Sequence, residues 1–436
     1  MTLSSLRFPR ISRLKKASAL IAAALLLASC DSKPPATPPT TVKPGQTQQH
    51  NEPMRGVWLT TVSRLDWPPI SSINAGSATQ RINQQQAALR AKLDNLQRLG
   101  INTVFFQVKP DGTALWKSDI LPWSDVMTGT IGENPGYDPL QFMLDEAHKR
   151  GMKVHAWFNP YRVSTNTKPS TVTALNSTLR MTPPSVFVLH RDWIRTASDR
   201  FVIDPGIPDA RDWITSIVAE VVSQYPVDGV QFDDYFYTET AGSTLNDNAT
   251  FRQYGQGFAS KADWRRHNTQ QLIAQVSRTI KQINPNVEFG VSPAGVWRNR
   301  SHDPAGSDTR GAAAYDESYA DTRQWVQLGL LDYIAPQLYW PFARDAARYD
   351  VLAKWWADVV KPTHTRLYIG IALYKVGEPS KNEPDWTVEG GVPELKKQID
   401  LNESASINGT ILFREGYLDQ PQTQQAVEYL KNRWGK

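Results

Sequence analysis

The sequence predicts a single (β/α)8 barrel, an α/β fold in which eight parallel strands alternate with eight helices. Eight short runs rich in valine, isoleucine, phenylalanine and tyrosine alternate with segments of helical apolar spacing. The helix-to-strand links are short and several strand-to-helix links are long, which is typical of barrels with a groove above the C-terminal strand ends. The chain has no GxGxxG or GxxxxGK[ST] turn, which disfavours the alternative, a doubly wound open sheet.

The predicted elements follow in strict alternation. The strands are MRGVWLTTV (54–62), INTVFFQVKP (101–110), KVHAWFNPY (153–161), VDGVQFDDY (227–235), VEFGVSPAG (287–295), DYIAPQLYW (332–340), RLYIGIALY (366–374) and INGTILFRE (407–415). The helices are predicted at 84–100, 138–151, 211–225, 261–284, 318–330, 350–360, 392–402 and 421–434. We expect the long links 162–208, 236–260 and 296–317 to wall a groove above the barrel mouth.

Ahead of the barrel, the sequence predicts a lipoprotein signal peptide at 1–29 and a disordered tether at 30–52, leaving 53–436 for the barrel domain. The first part is basic, and the apolar run that follows is too short to span a membrane. That run ends in LASC, which resembles a bacterial lipobox and contains Cys30, the only cysteine. The alternative is an ordinary signal peptide with an incidental cysteine.

Lipid attachment at Cys30 would anchor the protein to a membrane on the periplasmic side. The next residue, Asp31, bears on which membrane that is, because an acid at this position can favour retention in the inner membrane of enteric bacteria. The tether is rich in proline, threonine and glutamine and cannot bury enough apolar surface to fold.

The positive net charge belongs to the predicted signal peptide. Once residues 1–29 are removed, 43 basic residues face 43 acidic ones, so the charge balance gives no indication of nucleic-acid binding. The seven histidines form no HExxH motif, and a GxSxG elbow is absent from the sequence. We therefore predict neither a metal site nor a cofactor.

Strand alternation predicts which side chains enter the barrel. In the fourth strand Val230 and Phe232 should meet the helices, and Gln231 and Asp233 should point inward, with Asp234 beginning the loop. The same rule places further polar and aromatic residues inside: Gln107, Lys109, Asp111, His155, Trp157, Asn159, Tyr161, Gln337 and Tyr339. A polar and aromatic barrel mouth beneath long loops predicts a ligand site, although hydrogen bonding among these groups would also account for part of it.

The candidate catalytic groups are the carboxylates Asp233, Asp234 and Glu415, because glycoside hydrolysis needs one protonated and one ionised carboxyl group. Neighbouring acids raise the pKa of one partner and so divide the two roles. Alternatives remain for each residue: a hydrogen bond to a neighbouring strand for Asp233, a loop cap for Asp234, and an ion pair with Arg414 or another arginine for Glu415. The candidate substrate-binding residues combine aromatic faces and polar groups at the rim: Trp58, Lys109, Asp111, Asn159, Tyr161, Arg298, Gln337, Tyr339 and Trp340.

Six stretches resemble the glycosyl hydrolase-like 10 family. They are MRGVWLTTVSRLDWP, NTVFFQVKPDG, WFNPYR, DGVQFDDYFY, VSPAGVWRN and APQLYW, and they occur in the expected order on successive predicted strands. The resemblance implies a barrel glycosidase that acts on peptidoglycan glycan strands, prefers peptide-free strands and works at the division septum, where septal proteins would be its partners. It also implies acidic residues at the positions of Asp233 and Asp234. The resemblance further implies attachment to the outer membrane, and Asp31 disagrees with that expectation. The alternatives are a non-catalytic septal glycan-binding lipoprotein and an exopolysaccharide hydrolase.

Overall fold

A computed structural model describes residues 52–237, 245–404 and 406–435, and the predicted barrel is confirmed. The strands are β1 (Met54–Leu59), β2 (Thr103–Lys109), β3 (Lys153–Phe158), β4 (Gly229–Phe232), β5 (Glu288–Val291), β6 (Tyr333–Ile334), β7 (Arg366–Ala372) and β8 (Gly409–Phe413). Each strand pairs in parallel with the next, and β8 closes the ring against β1. The predicted signal peptide, Cys30, Asp31 and most of the tether lie outside the described residues.

A helix follows each strand. These are α1 (Ala78–Leu99), α2 (Pro139–Lys149), α3 (Pro208–Gln224), α4 (Lys261–Ile283), α5 (Thr322–Gln327), α6 (Tyr349–Val360), α7 (Val392–Asn402) and α8 (Gln424–Trp434). The ends of α1 illustrate why the helices begin and stop where they do. The Ser77 side chain accepts the backbone N–H of Gln80 at the start, and Gly100, with φ of 83°, ends the helix. No helix among the residues that the structure describes combines the length and apolar character needed to cross a bilayer.

The strands are shorter at the barrel mouth than the sequence predicts. The sixth strand, predicted at 332–340, keeps only Tyr333–Ile334 in the regular ladder, and the fourth, predicted at 227–235, keeps Gly229–Phe232. Residues past the last regularly paired position of each of these strands line the barrel mouth, among them Asp233 and Asp234 after the fourth strand and Gln337 and Tyr339 after the sixth. The strands predicted from composition alone are therefore too long at their C-terminal ends.

The long link after β3 contains a hairpin that the sequence did not predict. Its strands, Ile194–Ala197 and Arg200–Ile203, are antiparallel. The second strand continues onto the chain that leaves β3: the Val163 N–H donates to the Phe201 carbonyl (2.8 Å), and the Ile203 N–H donates to the Tyr161 carbonyl (2.9 Å). This link is therefore an ordered wall beside the barrel mouth.

The barrel interior is filled with aromatic rings, and glycines on neighbouring strands make the space for them. A Cβ on Gly229 would lie 2.4 Å from Nδ1 of His155, and a Cβ on Gly290 would lie 2.2 Å from the ring of Tyr333. His155 Nδ1 and the Tyr333 hydroxyl are 2.9 Å apart in a buried hydrogen bond. Burial lowers the pKa of His155 to about 3, so the imidazole is a neutral packing group in the floor of the barrel.

We predict that Gly229→Ala destabilises the protein by about 1–3 kcal/mol, because the new methyl group meets a buried ring that has no room to move. Thermal unfolding followed by circular dichroism measures the effect. The matched control is Gly76→Ala, where the nearest atom is the end of the flexible Gln80 side chain. Equal melting temperatures for the two variants would contradict this account of the interior.

Candidate active site

A cavity of about 240 Å³, here called the mouth cavity, lies at the C-terminal ends of the strands. Its lining comes from seven of the eight strands or the residues directly after them: Trp58, Trp157, Asp233, Asp234, Tyr235, Ser292, Gln337, Tyr339, Tyr374 and Phe413. Five of the predicted site residues meet here: Asp233, Asp234, Trp58, Gln337 and Tyr339. They come from distant parts of the sequence and are brought together by closure of the barrel.

Asp233 is buried at the base of the mouth cavity and is held by donors on both carboxylate oxygens. The Trp157 indole N–H donates to Oδ2 (3.2 Å), the Asn159 amide donates to the same oxygen, and the Tyr235 backbone N–H donates to Oδ1 (3.1 Å). The half-buried Asp234 accepts a hydrogen bond from the Gln337 amide (3.1 Å). These contacts fix both carboxyl groups toward the cavity.

The pKa values of both carboxyl groups are raised above the usual value for aspartate. Burial, and then the charge of Asp234, raise the pKa of Asp233 to about 7. Burial also raises the pKa of Asp234, against the hydrogen bond from Gln337. Because the charge of each opposes ionisation of the other, the pair retains a proton well above the usual range for aspartate. One protonated and one ionised carboxyl group is the combination that acid–base chemistry needs.

Two predicted substrate-binding residues lie behind Asp233 and do not line the cavity. Asn159 donates to Asp233 and accepts from the Gln107 amide (2.7 Å). The ammonium of Lys109 donates to the Asn159 carbonyl (2.8 Å), and burial lowers the pKa of Lys109 to about 7. Asn159 and Lys109 therefore position the carboxylate, and the inward direction predicted for both is correct.

The wall opposite the acids is aromatic. Trp58 lies in β1 and Phe413 ends β8, whereas Tyr339 and Tyr374 follow β6 and β7. These four strands are consecutive around the ring and lie across from β4. Tyr339 and Phe413 stack with centroids 5.7 Å apart, and Trp58 meets the edge of Phe413 at 5.9 Å. The Trp58 indole donates to Gln231 in the barrel floor (2.7 Å), which fixes its ring. Such flat apolar faces suit the C–H face of a pyranose ring.

Glu415 does not line the mouth cavity, so its predicted position there is wrong. It is fully buried beside α1, and the ammonium of Lys92 donates to its Oε2 (2.6 Å). Burial raises its pKa to about 7, against the charge of Lys92. The ion-pair alternative holds, with a lysine in place of the expected arginine. The chain leaves the ladder after Phe413, so alternation no longer sets the direction of residue 415.

Asp111 also lies outside the mouth cavity, in a second cavity of about 250 Å³ lined by Thr113, Asp125, Ser164 and other mainly polar residues. Burial, and then the charge of Asp125, raise its pKa to about 6. The strand β2 ends at Lys109, and the following turn carries Asp111 sideways.

Three further residues that were predicted to bind substrate lie outside the mouth cavity. Tyr161 turns to the helix layer, where its hydroxyl is 3.0 Å from that of Thr269 on α4. Arg298 forms ion pairs with Asp303 and Asp316 in the loop after β5. Trp340 is half-buried against the hydrophobic core outside the cavity.

Five lining residues were missed as binding candidates: Trp157, Tyr235, Ser292, Tyr374 and Phe413. Tyr374 and Phe413 stand at or just past the ends of β7 and β8, a signal that the sequence did contain. Within the described ranges, no group of three or more histidine, cysteine, aspartate or glutamate residues is arranged to hold a metal ion.

A closed parallel barrel with a carboxylate pair at its C-terminal mouth is an architecture of glycoside hydrolases. Residues 53–388 match the glycosyl hydrolase-like 10 family, and the chain belongs to that family. It is 76% identical over 427 residues to Glycosyl hydrolase DigH of Escherichia coli K12, covering 97% of each chain. It is 42% identical over 369 residues to Glycosyl hydrolase YngK of Bacillus subtilis, covering 84% of this chain and 68% of that protein.

Among solved structures, the alpha-L-fucosidase isoenzyme 2 from Paenibacillus thiaminolyticus matches with a TM-score of 0.51. The match has 14% identity and covers 88% of this chain and 49% of that chain. At that identity the similarity concerns the fold alone.

We predict that Asp234→Asn raises the melting temperature by about 2 °C at pH 8 and leaves it unchanged near pH 4. A carboxyl group with a raised folded pKa makes the folded state less stable once pH exceeds the unfolded pKa, so removing the charge relieves a penalty present only at higher pH. Thermal melts at both pH values measure it, with the exposed Asp119→Asn as control. A gain that is equal at pH 4 and pH 8 would contradict the coupling.

Proposed function

We propose that this chain hydrolyses glycosidic bonds in peptidoglycan glycan strands, with peptide-free strands at the division septum as its substrate. The observation that carries the proposal is the carboxyl pair of the buried Asp233 and the half-buried Asp234, which lies at one side of a cavity whose other side is aromatic. The family membership and the names of its relatives support glycoside hydrolysis in general. The choice of peptidoglycan rests on the family resemblance and on the predicted signal peptide.

In the proposed mechanism a sugar ring rests against the aromatic wall and presents its glycosidic oxygen to the acids. The protonated member of the pair donates its proton to the leaving oxygen as the glycosidic bond breaks, and the ionised member stabilises the positive charge that develops at the anomeric carbon. A water molecule then supplies the oxygen that bonds to the anomeric carbon, and the proton that it loses restores the protonated and ionised pair. Asp233 is held at both oxygens by donors, which keeps its orientation fixed through the reaction. Gln337 orients Asp234 in the same way.

The proposal places the enzyme in the periplasm, attached to a membrane through lipidated Cys30 and a tether at 30–52, with septal proteins as partners. The support is the basic and apolar N-terminal run followed by LASC. An anchored enzyme on a tether of this composition could reach glycan strands near the membrane surface.

We expect Asp233→Asn to lower the release of sugar fragments from purified peptide-free strands by about 100-fold or more, because the buried proton donor is lost. Mass spectrometry of the soluble products measures release. The matched control is Glu415→Gln, a change at a buried acid of similar raised pKa outside the mouth cavity, which should retain release within about twofold.

The same experiment separates the alternatives. A wild-type chain that sediments with peptide-free sacculi and releases nothing would favour the non-catalytic glycan-binding function. Release from poly-glucosamine but not from peptidoglycan strands would favour an exopolysaccharide hydrolase. A larger loss for Glu415→Gln than for Asp233→Asn would overturn the assignment of the acids.

We also predict a bell-shaped dependence of kcat/KM on pH. Activity should fall as pH rises through about 7, because Asp233 then loses the proton it must donate. It should also fall on the acidic side, at a pH above the usual aspartate range, as Asp234 becomes protonated. Initial rates on peptide-free strands from pH 4 to pH 9 measure the profile, and constant activity between pH 7 and pH 9 would contradict it.

A further inference from the structure

Two arginines lie over one aromatic residue at the edge of the mouth cavity. The guanidinium carbon of Arg162 is 4.5 Å from the ring centroid of Tyr235, and that of Arg200 is 5.3 Å from the same centroid. Tyr235 lines the mouth cavity and directly follows the acid pair. Two positive charges therefore flank the space in which the sugar is proposed to bind.

The backbone holds these arginines side by side. The hairpin strand Arg200–Ile203 pairs with the chain that leaves β3, where Arg162 lies opposite Val202. The Val163 N–H donates to the Phe201 carbonyl, and the Ser164 hydroxyl accepts the Phe201 N–H (3.1 Å). The position of Arg200 is thus set by a hydrogen-bonded strand pair anchored to the barrel.

The two arginines differ in what they already contact. Arg162 is buried, donates to the Pro110 carbonyl (3.1 Å), and its charge lowers the pKa of both Asp233 and Asp234. Arg200 is half-buried and rests on Tyr235. Across the described parts of the chain, neither guanidinium forms an ion pair with a carboxylate. The ring covers one face of a guanidinium and leaves its N–H edges able to donate.

We propose that Arg200, with Arg162 beside it, binds a carboxylate carried by the sugar substrate, so that the site selects an acidic glycan. This inference rests on the proposed function and specifies its substrate. A guanidinium holds a carboxylate through two parallel charged hydrogen bonds, a geometry that an uncharged amide cannot reproduce. The lactyl group of a muramyl sugar is a carboxylate when the stem peptide is absent and an amide when it is present. Arg200 is thereby a specificity-determining residue for peptide-free strands.

The test compares two glycan probes: peptide-free strands with free lactyl carboxylates, and the same strands with those groups reduced to alcohols. Dissociation constants are measured by calorimetry in an Asp233→Asn background, which keeps the strand intact. We expect the parent to bind the native strand about tenfold more tightly than the reduced strand. Adding Arg200→Gln should bring this ratio close to one, and Arg200→Lys should leave it at an intermediate value.

The charge-matched control is Arg98→Gln, at the exposed C-terminal end of α1 and hence at the opposite end of the barrel, which should keep the tenfold ratio. A ratio near one in the parent, or a ratio that Arg200→Gln leaves unchanged, overturns the inference. Hydrolysis of both strands by the wild-type chain without preference defeats the inference and leaves the proposed function standing. If the parent keeps its tenfold preference for the native strand but the wild-type chain hydrolyses neither strand, the inference stands and the proposed function is overturned. If the chain binds neither strand, both are overturned.

Discussion

The close packing of aromatic rings against glycines inside the barrel is the constraint on which the site depends. His155 and Tyr333 occupy space that exists only because residues 229 and 290 have no side chain. The resulting floor consists of rings in close contact, such as His155 and Tyr333, whose centroids are 5.3 Å apart. The hydrogen bond from Trp58 to Gln231 fixes the Trp58 ring against this floor, and the catalytic candidates lie directly above the floor. The acids and the aromatic wall are thus positioned by the interior of the barrel.

The same floor determines the electrostatics of the acid pair. Above this packed floor, ionisation of Asp233 is opposed first by burial and then by the charge of Asp234. The donors from Trp157 and Asn159 partly offset that cost and fix the geometry. The protein therefore retains a buried, coupled carboxyl pair that weakens folding at neutral pH, which is a common property of catalytic groups and uncommon in purely structural ones.

Strand alternation predicted the inward direction of Asp233, Asn159 and Lys109 correctly, because all three lie within a strand or one residue past its regular ladder. Alternation failed for Tyr161, and the rim position expected for Glu415 at the end of the eighth strand was also wrong. Both residues lie two residues or more beyond the last paired residue. There the direction of a side chain depends on tertiary partners, Thr269 in one case and Lys92 in the other, which no local pattern contains. The hairpin after β3 was missed for a related reason. Its strands are only four residues long, and the second is held by backbone bonds to the end of β3.

The acids and the arginines come from different parts of the fold, which suggests that they have different roles in the site. The acids and the aromatic wall are built from strand ends, where the rigid barrel fixes distances for bond cleavage. The arginines over Tyr235 come from the chain leaving β3 and from the hairpin, outside the strands of the barrel. The charge of Arg200, on the hairpin, can alter which glycan is held without moving the carboxyl groups that would act on it. If the loop determines the charge of the substrate and the barrel determines the reaction, relatives with the same acids and a different residue at position 200 should cleave the same kind of bond in uncharged strands.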